Sequence, residues 1–134
     1  MSKIVPRGIR NNNPLNIRIG NVWLGEVANP TDPDFEQFVS MIYGIRAAFV
    51  LLRRYIRHYH RTTIASIVSA WAPKVENNTI AYIDYVASQV GISPDTPVKY
   101  EDRDIMVKLL AAMARYECGA TPYPDDIIKA YEMA

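Results

Sequence analysis

The spacing of apolar residues after position 40 restricts this chain to a mainly α-helical fold. Between Ser40 and Tyr59 these residues recur three and four positions apart, which is the period of one helix face. Four further segments repeat the pattern, and each has a capping residue or a terminating glycine or proline. The predicted starts are Thr62 or Thr63, Asn78, Asp102 and Pro124, and the first three of these helices should end at Pro73, Gly91 and Gly119.

The first 39 residues have a different character, because prolines and glycines interrupt them repeatedly. Such a pattern predicts loops and turns, with short strands at most near Arg18–Trp23 and Phe35–Val39. A long irregular opening in a compact domain is often functional. We therefore predict a single domain over residues 1–134, in which residues 1–39 form a loop-rich, cleft-forming segment and residues 40–134 form a helical body.

Composition narrows the classes of function. The chain has 134 residues, 49% of them apolar and 22% charged, which is typical of a folded globular protein. A net charge of +1 gives no general attraction to nucleic acid or to an anionic membrane. No apolar run approaches the roughly 20 residues that a membrane span needs, and the amino terminus lacks the apolar core of a signal peptide. We expect a protein made in the cytoplasm, without a membrane span.

One alternative is a nucleic-acid binder that uses an arginine-rich helix face, formed by Arg53, Arg54, Arg57 and Arg61. A solvated face is the simpler interpretation of these side chains. Near-zero net charge also argues against this alternative, because phosphate contacts supply most of the affinity for nucleic acid.

Metal and disulfide chemistry are not expected. Cys118 is the only cysteine, so an intramolecular disulfide cannot form. His58 and His60 are two positions apart, and such residues do not share a helix face, so they make a poor zinc pair.

The segment RNNNPLNIR, residues 10–18, concentrates side-chain amides where a helix cannot continue. Pro14 disfavours the helical conformation at Asn13, and asparagine prefers caps and turns. Amides both donate and accept hydrogen bonds, so they can bind the hydroxyl and acetamido groups of a saccharide. They can equally fix the loop itself through Asx turns. Both interpretations stay open for each asparagine.

Carboxylates near an amide-rich cleft are what polysaccharide cleavage requires, because one acid must protonate a glycosidic oxygen. Glu26 and Glu36 lie in loop-rich sequence and are most simply solvated. Glu76 stands between two predicted helices, where it could accept N–H bonds at the start of the second helix. That position suits a stabilising carboxylate.

Glu117 lies in the last turn of an apolar helix, two residues before Gly119. The helix dipole and an apolar surround both disfavour its ionised form, as a general acid requires. The alternative is a helix-end glutamate paired with Arg115 or Lys108.

The chain opens with PRGIRNNNPLNIR and continues with DPDFEQF from Asp32, YGIRAAFVLLRRY from Tyr43, WAPKVENNTIAYIDYVASQVGI from Trp71 and ARYECGATPYPDDII from Ala114. These segments resemble a family of phage and prophage proteins that open with PRGIRNNNPGNIR and are usually described as structural or virion proteins. The likeness covers nearly the whole chain, and its most specific parts are the opening and the WAP..EN.T..Y block. It implies a lysozyme-like fold and a protein, made in the bacterial cytoplasm, that is virion-associated or released to the cell wall.

Two positions depart from the family pattern. Leu15 stands where glycine is usual, so the turn after Pro14 is not one that requires a positive φ at that position. Cys118 replaces the asparagine of an ENG ending, which removes a polar group beside Glu117.

A more distant similarity concerns mechanism. Bacterial glucosaminidases and lytic transglycosylases carry a helix that ends in ES.wG, followed later by an NN.FGIK turn. LLAAMARYECG is similar to the first motif and NNNPLNIR to the second, but here the two come in reverse order. This similarity implies a circularly permuted lysozyme-like domain whose termini meet at one cleft.

Together the resemblances imply cleavage of peptidoglycan glycan strands by a muramidase or lytic transglycosylase, with no cofactor or metal. Glu117 would be the general acid and Glu76 a second carboxylate. The expected partners are peptidoglycan or a related glycan and other virion proteins, and the alternative is a non-catalytic virion or glycan-binding protein of the same fold. The predicted substrate-binding residues are Asn12, Asn13, Asn16, Asn77, Tyr82 and Tyr123, with Trp23 and Trp71 as further aromatic candidates for stacking on sugars.

Overall fold

The computed structural model describes residues 5–72 and 78–134, and it confirms the mainly helical fold. Six helices lie within these ranges, and all five predicted helices are among them. They are α1 (Arg7–Arg10), α2 (Met41–Arg57), α3 (Ile64–Trp71), α4 (Thr79–Val90), α5 (Arg103–Cys118) and α6 (Pro124–Met133). The short α1 was not predicted, because four residues are too few to show a helical period. No helix within the described ranges is both long and apolar enough to cross a membrane.

Local hydrogen bonds set several of the predicted helix ends, although Ser40, which precedes α2, makes no side-chain cap bond. Thr63, rather than Thr62, caps α3 through a capping box with Ser66. Asn78 and Asp102 cap α4 and α5 with their side-chain oxygens. The same two helices end at glycines in the left-handed conformation, Gly91 with φ 84° and Gly119 with φ 75°. The predicted end of α3 at Pro73 lies outside the described residues.

The helices pack as pairs around one apolar core. α2 packs chiefly against α6, and α4 packs against α5. An edge-to-face contact of Phe49 with Tyr131, 5.3 Å between ring centroids, joins the first pair. Stacked rings of Tyr82 and Tyr116, 4.1 Å apart, join the second pair. Aromatic pairs in these geometries contribute about 0.5–1.5 kcal/mol beyond the area they bury.

Residues 5–39, which we call the head segment, contain no strand. Two short strands were expected here, and the chain instead forms two isolated antiparallel bridges, Arg18 with Phe35 and Glu26 with Phe38. The side chain of Asn13 forms hydrogen bonds with backbone groups that would otherwise pair between two strands. Its Nδ2 donates to the main-chain oxygens of Ile17 (2.9 Å) and Glu36 (3.0 Å), and its Oδ1 accepts the N–H of Ile17.

A charged cluster ties α1 to the later part of the head segment. The guanidinium of Arg7 donates to both carboxylate oxygens of Asp32, each at 2.6 Å. Asp32 also accepts from the Asn11 amide (2.9 Å) and from the backbone N–H groups of Asp34 and Phe35. Five donors on one buried carboxylate hold its pKa well below the usual range, first through Arg7.

The head segment lies directly on the helical body. The main-chain oxygen of Asn12 approaches Gly44 of α2 so closely that a Cβ there would lie 1.7 Å from it. A Cβ on Gly8 of α1 would meet Cys118 of α5 at 2.9 Å. These two glycines therefore permit backbone contacts that position the head segment beside the end of α5.

Candidate functional site

A cleft of about 870 Å³ lies between the head segment and the helical body. Residues 15–18, Asn21 and Phe35 form the head side of it. The helical side is formed by Leu51 and Tyr55 of α2, Ala70 and Trp71 of α3, and Glu117 of α5. This volume falls within the range of about 300–1,000 Å³ that is typical of ligand sites.

Glu117 and Asn16 meet at this cleft. The side-chain amide of Asn16 donates to Oε1 of Glu117 at 3.4 Å and to the main-chain oxygen of Glu117 at 3.3 Å. Asn16 adopts a left-handed φ of 52°, which asparagine tolerates better than most residues. The amide-rich opening and the acidic end of α5 therefore lie side by side, as the predicted cleft requires.

Tyr82 lies within the protein beside Glu117. Its ring is fully buried against Tyr116, and its hydroxyl lies close enough to the Glu117 carboxyl group to interact with it. Burial raises the pKa of this phenol, and the neighbouring Glu117 carboxylate raises it further. The Tyr82 hydroxyl therefore stays protonated and faces the carboxylate, and its burial prevents contact with a ligand in the cleft.

The other predicted asparagines stabilise the head segment. Asn12 has φ 53° and donates to the main-chain oxygen of Phe38 at 2.9 Å. Asn13 is fully buried, with both ends of its amide bonded to backbone. Neither residue lines the cleft. Of the two interpretations of these amides, the structure favours the fixing of the loop.

The remaining predicted site residues are separate from this cleft or not described. Tyr123 is 79% exposed, occupies the N-cap position of α6 without a side-chain cap bond, and is not among the residues that line the cleft. Glu76 and Asn77 lie outside the described residues.

Cys118 does not alter the polarity of the cleft. It is buried, its thiol donates to the main-chain oxygen of Ala120 at 3.6 Å, and its Cβ packs near Gly8 of α1. The cysteine therefore affects the packing of α1 on α5 rather than the surroundings of the Glu117 carboxylate.

The expectation that Glu36 is solvated was wrong. It is buried within the head segment, with 7% of the residue exposed, beside the carboxyl group of Glu26. Burial first, and the neighbouring Glu26 second, raise the pKa of Glu36 to about 7. The sequence did not indicate this pair, because the two residues are ten positions apart in irregular chain and meet through the fold.

Three arginines proposed for nucleic-acid binding have partners within the protein. Arg53 and Arg57 lie over the ring of Tyr100, and Arg57 also pairs with Glu101. Arg61 donates to the main-chain oxygen of Ser66. These contacts compete with phosphate groups for the guanidinium donors.

Several cleft residues were not predicted as site residues. Tyr55 belongs to the apolar stripe of α2. The spacing of apolar residues does not distinguish a residue in the core from one in a cleft wall. Phe35 reaches the cleft through its bridge with Arg18, and Asn21 lies three residues beyond Arg18. Within residues 5–72 and 78–134, no group of three or more His, Cys, Asp or Glu side chains is arranged to hold a metal ion.

Comparison with known proteins supports the phage resemblance. The chain matches no established family model. It is 40% identical over 131 residues to Protein P5 of Pseudoalteromonas phage PM2, and the alignment covers 94% of this chain and 80% of Protein P5. Identity at this level across nearly the whole chain leads to one conclusion: the chain belongs to the same phage protein family as Protein P5 of phage PM2.

Proposed function

We propose that this protein cleaves the glycan strands of peptidoglycan, with Glu117 as the general acid, on a single lysozyme-like domain. The observation that carries the proposal is the position of Glu117 on the wall of the cleft, where Asn16 donates to its carboxylate. A carboxyl group on the wall of a cleft can deliver the proton that a glycosidic oxygen must receive.

Proton delivery requires a carboxyl group of fixed orientation. Asn16 donates to one carboxylate oxygen of Glu117, and the buried hydroxyl of Tyr82 interacts with the same carboxyl group. The carboxyl group is accessible to a substrate from the cleft. This arrangement limits rotation of the carboxyl group, so the acid is oriented before the substrate arrives.

The number of carboxylates distinguishes the two reaction routes. Glu117 is the one acidic residue among the described residues that line the cleft. With a single carboxylate, intramolecular attack by the 6-hydroxyl of muramic acid is the simpler route, and the product carries a 1,6-anhydro ring. Glu76 would be the second carboxylate of a hydrolytic route, in which water is the nucleophile.

Purified bacterial cell walls provide the test. We expect the wild-type protein to reduce the turbidity of a wall suspension and Glu117→Gln to be slower by at least about 100-fold. Glu132→Gln is the matched control, because Glu132 is exposed on α6 with its carboxylate 3.9 Å from Arg103. Mass spectrometry separates the routes, because an anhydro product is lighter than a hydrolysed one by one water. Absence of soluble glycan fragments with wild-type protein would reject the proposal.

A second candidate is a non-catalytic virion protein that binds glycan or another virion component. Several large apolar side chains of the head segment are exposed, among them Val22 at 95%, with Ile19, Leu24 and Val39. Val39 donates its N–H to the main-chain oxygen of Gly25, the residue that follows Leu24. Grouped exposed apolar residues are typical of protein contacts. Binding of chitooligosaccharides without any product would select this candidate over the enzyme.

A further inference from the structure

One wall of the cleft is aromatic and takes no part in the proposed acid catalysis. Tyr55 of α2 and Trp71 of α3 contact each other edge to face, with ring centroids 5.5 Å apart and ring planes at 68°. Both residues are half-buried and both line the cleft, together with the small side chain of Ala70. Part of each ring therefore meets the space that a ligand would occupy.

The indole of Trp71 is fixed in position. Its Nε1–H donates to the main-chain oxygen of Leu15 at 3.0 Å, which anchors the ring to the residue that precedes Asn16. The edge of Tyr55 limits its rotation from another side. Because the indole N–H is already bonded, the part of the ring that faces the cleft is an apolar surface. Binding to a surface that is already ordered loses little conformational entropy.

The rest of the cleft lining is mixed: the amide side chains of Asn16 and Asn21 stand among apolar residues such as Leu51. A purely apolar ligand would remove these amides from water without replacing their hydrogen bonds, which is costly. A pyranose ring suits both walls, because its C–H face is apolar and its rim carries hydroxyl groups. A cleft of mixed aromatic and amide character therefore favours a saccharide over a lipid chain or an apolar peptide.

We infer that Trp71, supported by Tyr55, forms a sugar-binding subsite that stacks on the apolar face of one hexopyranose unit. This inference rests on the proposed function and names a residue that holds the glycan beside Glu117. Trp71 touches the sugar and takes no part in proton transfer, so its loss should weaken binding and leave the chemical step intact.

Tryptophan fluorescence tests this subsite in the Glu117→Gln background, where turnover is removed. Trp23, the second tryptophan, is buried and does not line the cleft, so Trp23→Phe leaves Trp71 as the single reporter. We expect chitotetraose to change the emission of Glu117→Gln/Trp23→Phe. The signal should be lost when Trp71→Phe replaces Trp23→Phe.

Titration calorimetry measures the affinity. Trp71→Leu should raise the Kd for chitotetraose by about tenfold, and Tyr55→Leu should raise it by a smaller factor. Trp71→Phe keeps a ring but loses the bond to Leu15, so its Kd should lie between those of the parent and Trp71→Leu. This conservative variant and Tyr55→Leu decide the question if Trp71→Leu fails to fold. An unchanged Kd in the folded variants, or no binding of chitotetraose to the parent, would overturn the subsite.

The outcomes separate the subsite from the proposed activity. Trp71-dependent binding with no cleavage by wild-type protein would support the subsite and reject the enzyme. Cleavage with the same KM in wild type and Trp71→Leu would support the enzyme and reject the subsite.

Discussion

The side-chain amide of Asn16 donates to the carboxylate of Glu117, although the two residues are 101 positions apart in the chain. The same amide also reaches the main-chain oxygen of Glu117, where α5 ends. The contact joins the head segment to the helical body at the wall of the cleft. The cleft therefore exists only when both ends of the chain are folded against each other, and changes at Asn16 should affect both activity and stability.

Asn16→Ala and Asn16→Gly should both slow wall cleavage by about tenfold or more, because each removes the donor that orients Glu117. They should differ in stability. Asn16 has φ 52°, which glycine adopts freely and alanine does not, so Asn16→Ala should unfold at lower urea concentration than Asn16→Gly. The expected difference is about 1 kcal/mol. Equal urea midpoints of unfolding for the two variants would contradict a strained backbone at Asn16.

Gly44→Ala should strongly destabilise the protein. The added Cβ would lie 1.7 Å from the main-chain oxygen of Asn12, and backbone on both sides leaves little room to adjust. We expect a loss of about 3 kcal/mol or more in the free energy of unfolding, measured by urea denaturation. Gly20→Ala is the matched control, because no atom lies within 4 Å of its added Cβ. Similar losses of stability in both variants would show that the close contact between Gly44 and Asn12 is not the cause of the destabilisation.

Stability should fall as the pH rises through the range in which Glu36 titrates. Its folded pKa of about 7 lies above the ordinary value of 4.5, so the folded protein binds more protons than the unfolded chain between these values. The contribution is fully present below about pH 4.5 and is lost as the pH rises through 7. Between pH 5 and pH 8 the wild type should lose about 1–3 kcal/mol relative to Glu36→Gln.

Melting temperatures measured from pH 5 to pH 8 check this pH dependence. Glu26→Gln should also reduce it, since it removes the neighbouring carboxylate that helps to raise the pKa of Glu36. An identical slope in the wild type and both glutamine variants would refute the carboxyl pair.

Asp32 should make the opposite contribution at low pH. Its folded pKa is depressed below the ordinary value of 3.8, so its stabilising effect is present above that value and is lost as the pH falls below it. Asp32→Asn should lower the melting temperature by several degrees at pH 7 and by less at pH 3. Asp34→Asn is the control, because Asp34 is largely exposed and only its Oδ2 contacts the Arg7 guanidinium, at 3.1 Å. If Asp32→Asn lowers the melting temperature equally at both pH values, the charge of Asp32 is not the cause.

Helix positions followed from the sequence because their causes are local. A cap such as Asn78 or Asp102 bonds a backbone N–H three residues away, and a glycine such as Gly91 or Gly119 adopts its left-handed conformation within one turn. The apolar period of α2 likewise describes one face of one helix. The carboxylate at the end of α5 and the amide-rich opening were also recognisable, since both are short segments with distinctive residues.

The tertiary structure alone decided which of these groups face the cleft. Asn12 and Asn13 fix the head segment while Asn16 reaches Glu117, and nothing in the run of asparagines separates these roles. The pairing of Glu36 with Glu26 and the anchoring of Trp71 to Leu15 are equally invisible in the spacing of residues. The physical reason is that these contacts join positions that are distant along the chain or that lie in irregular segments, so packing rather than local backbone preference brings them together.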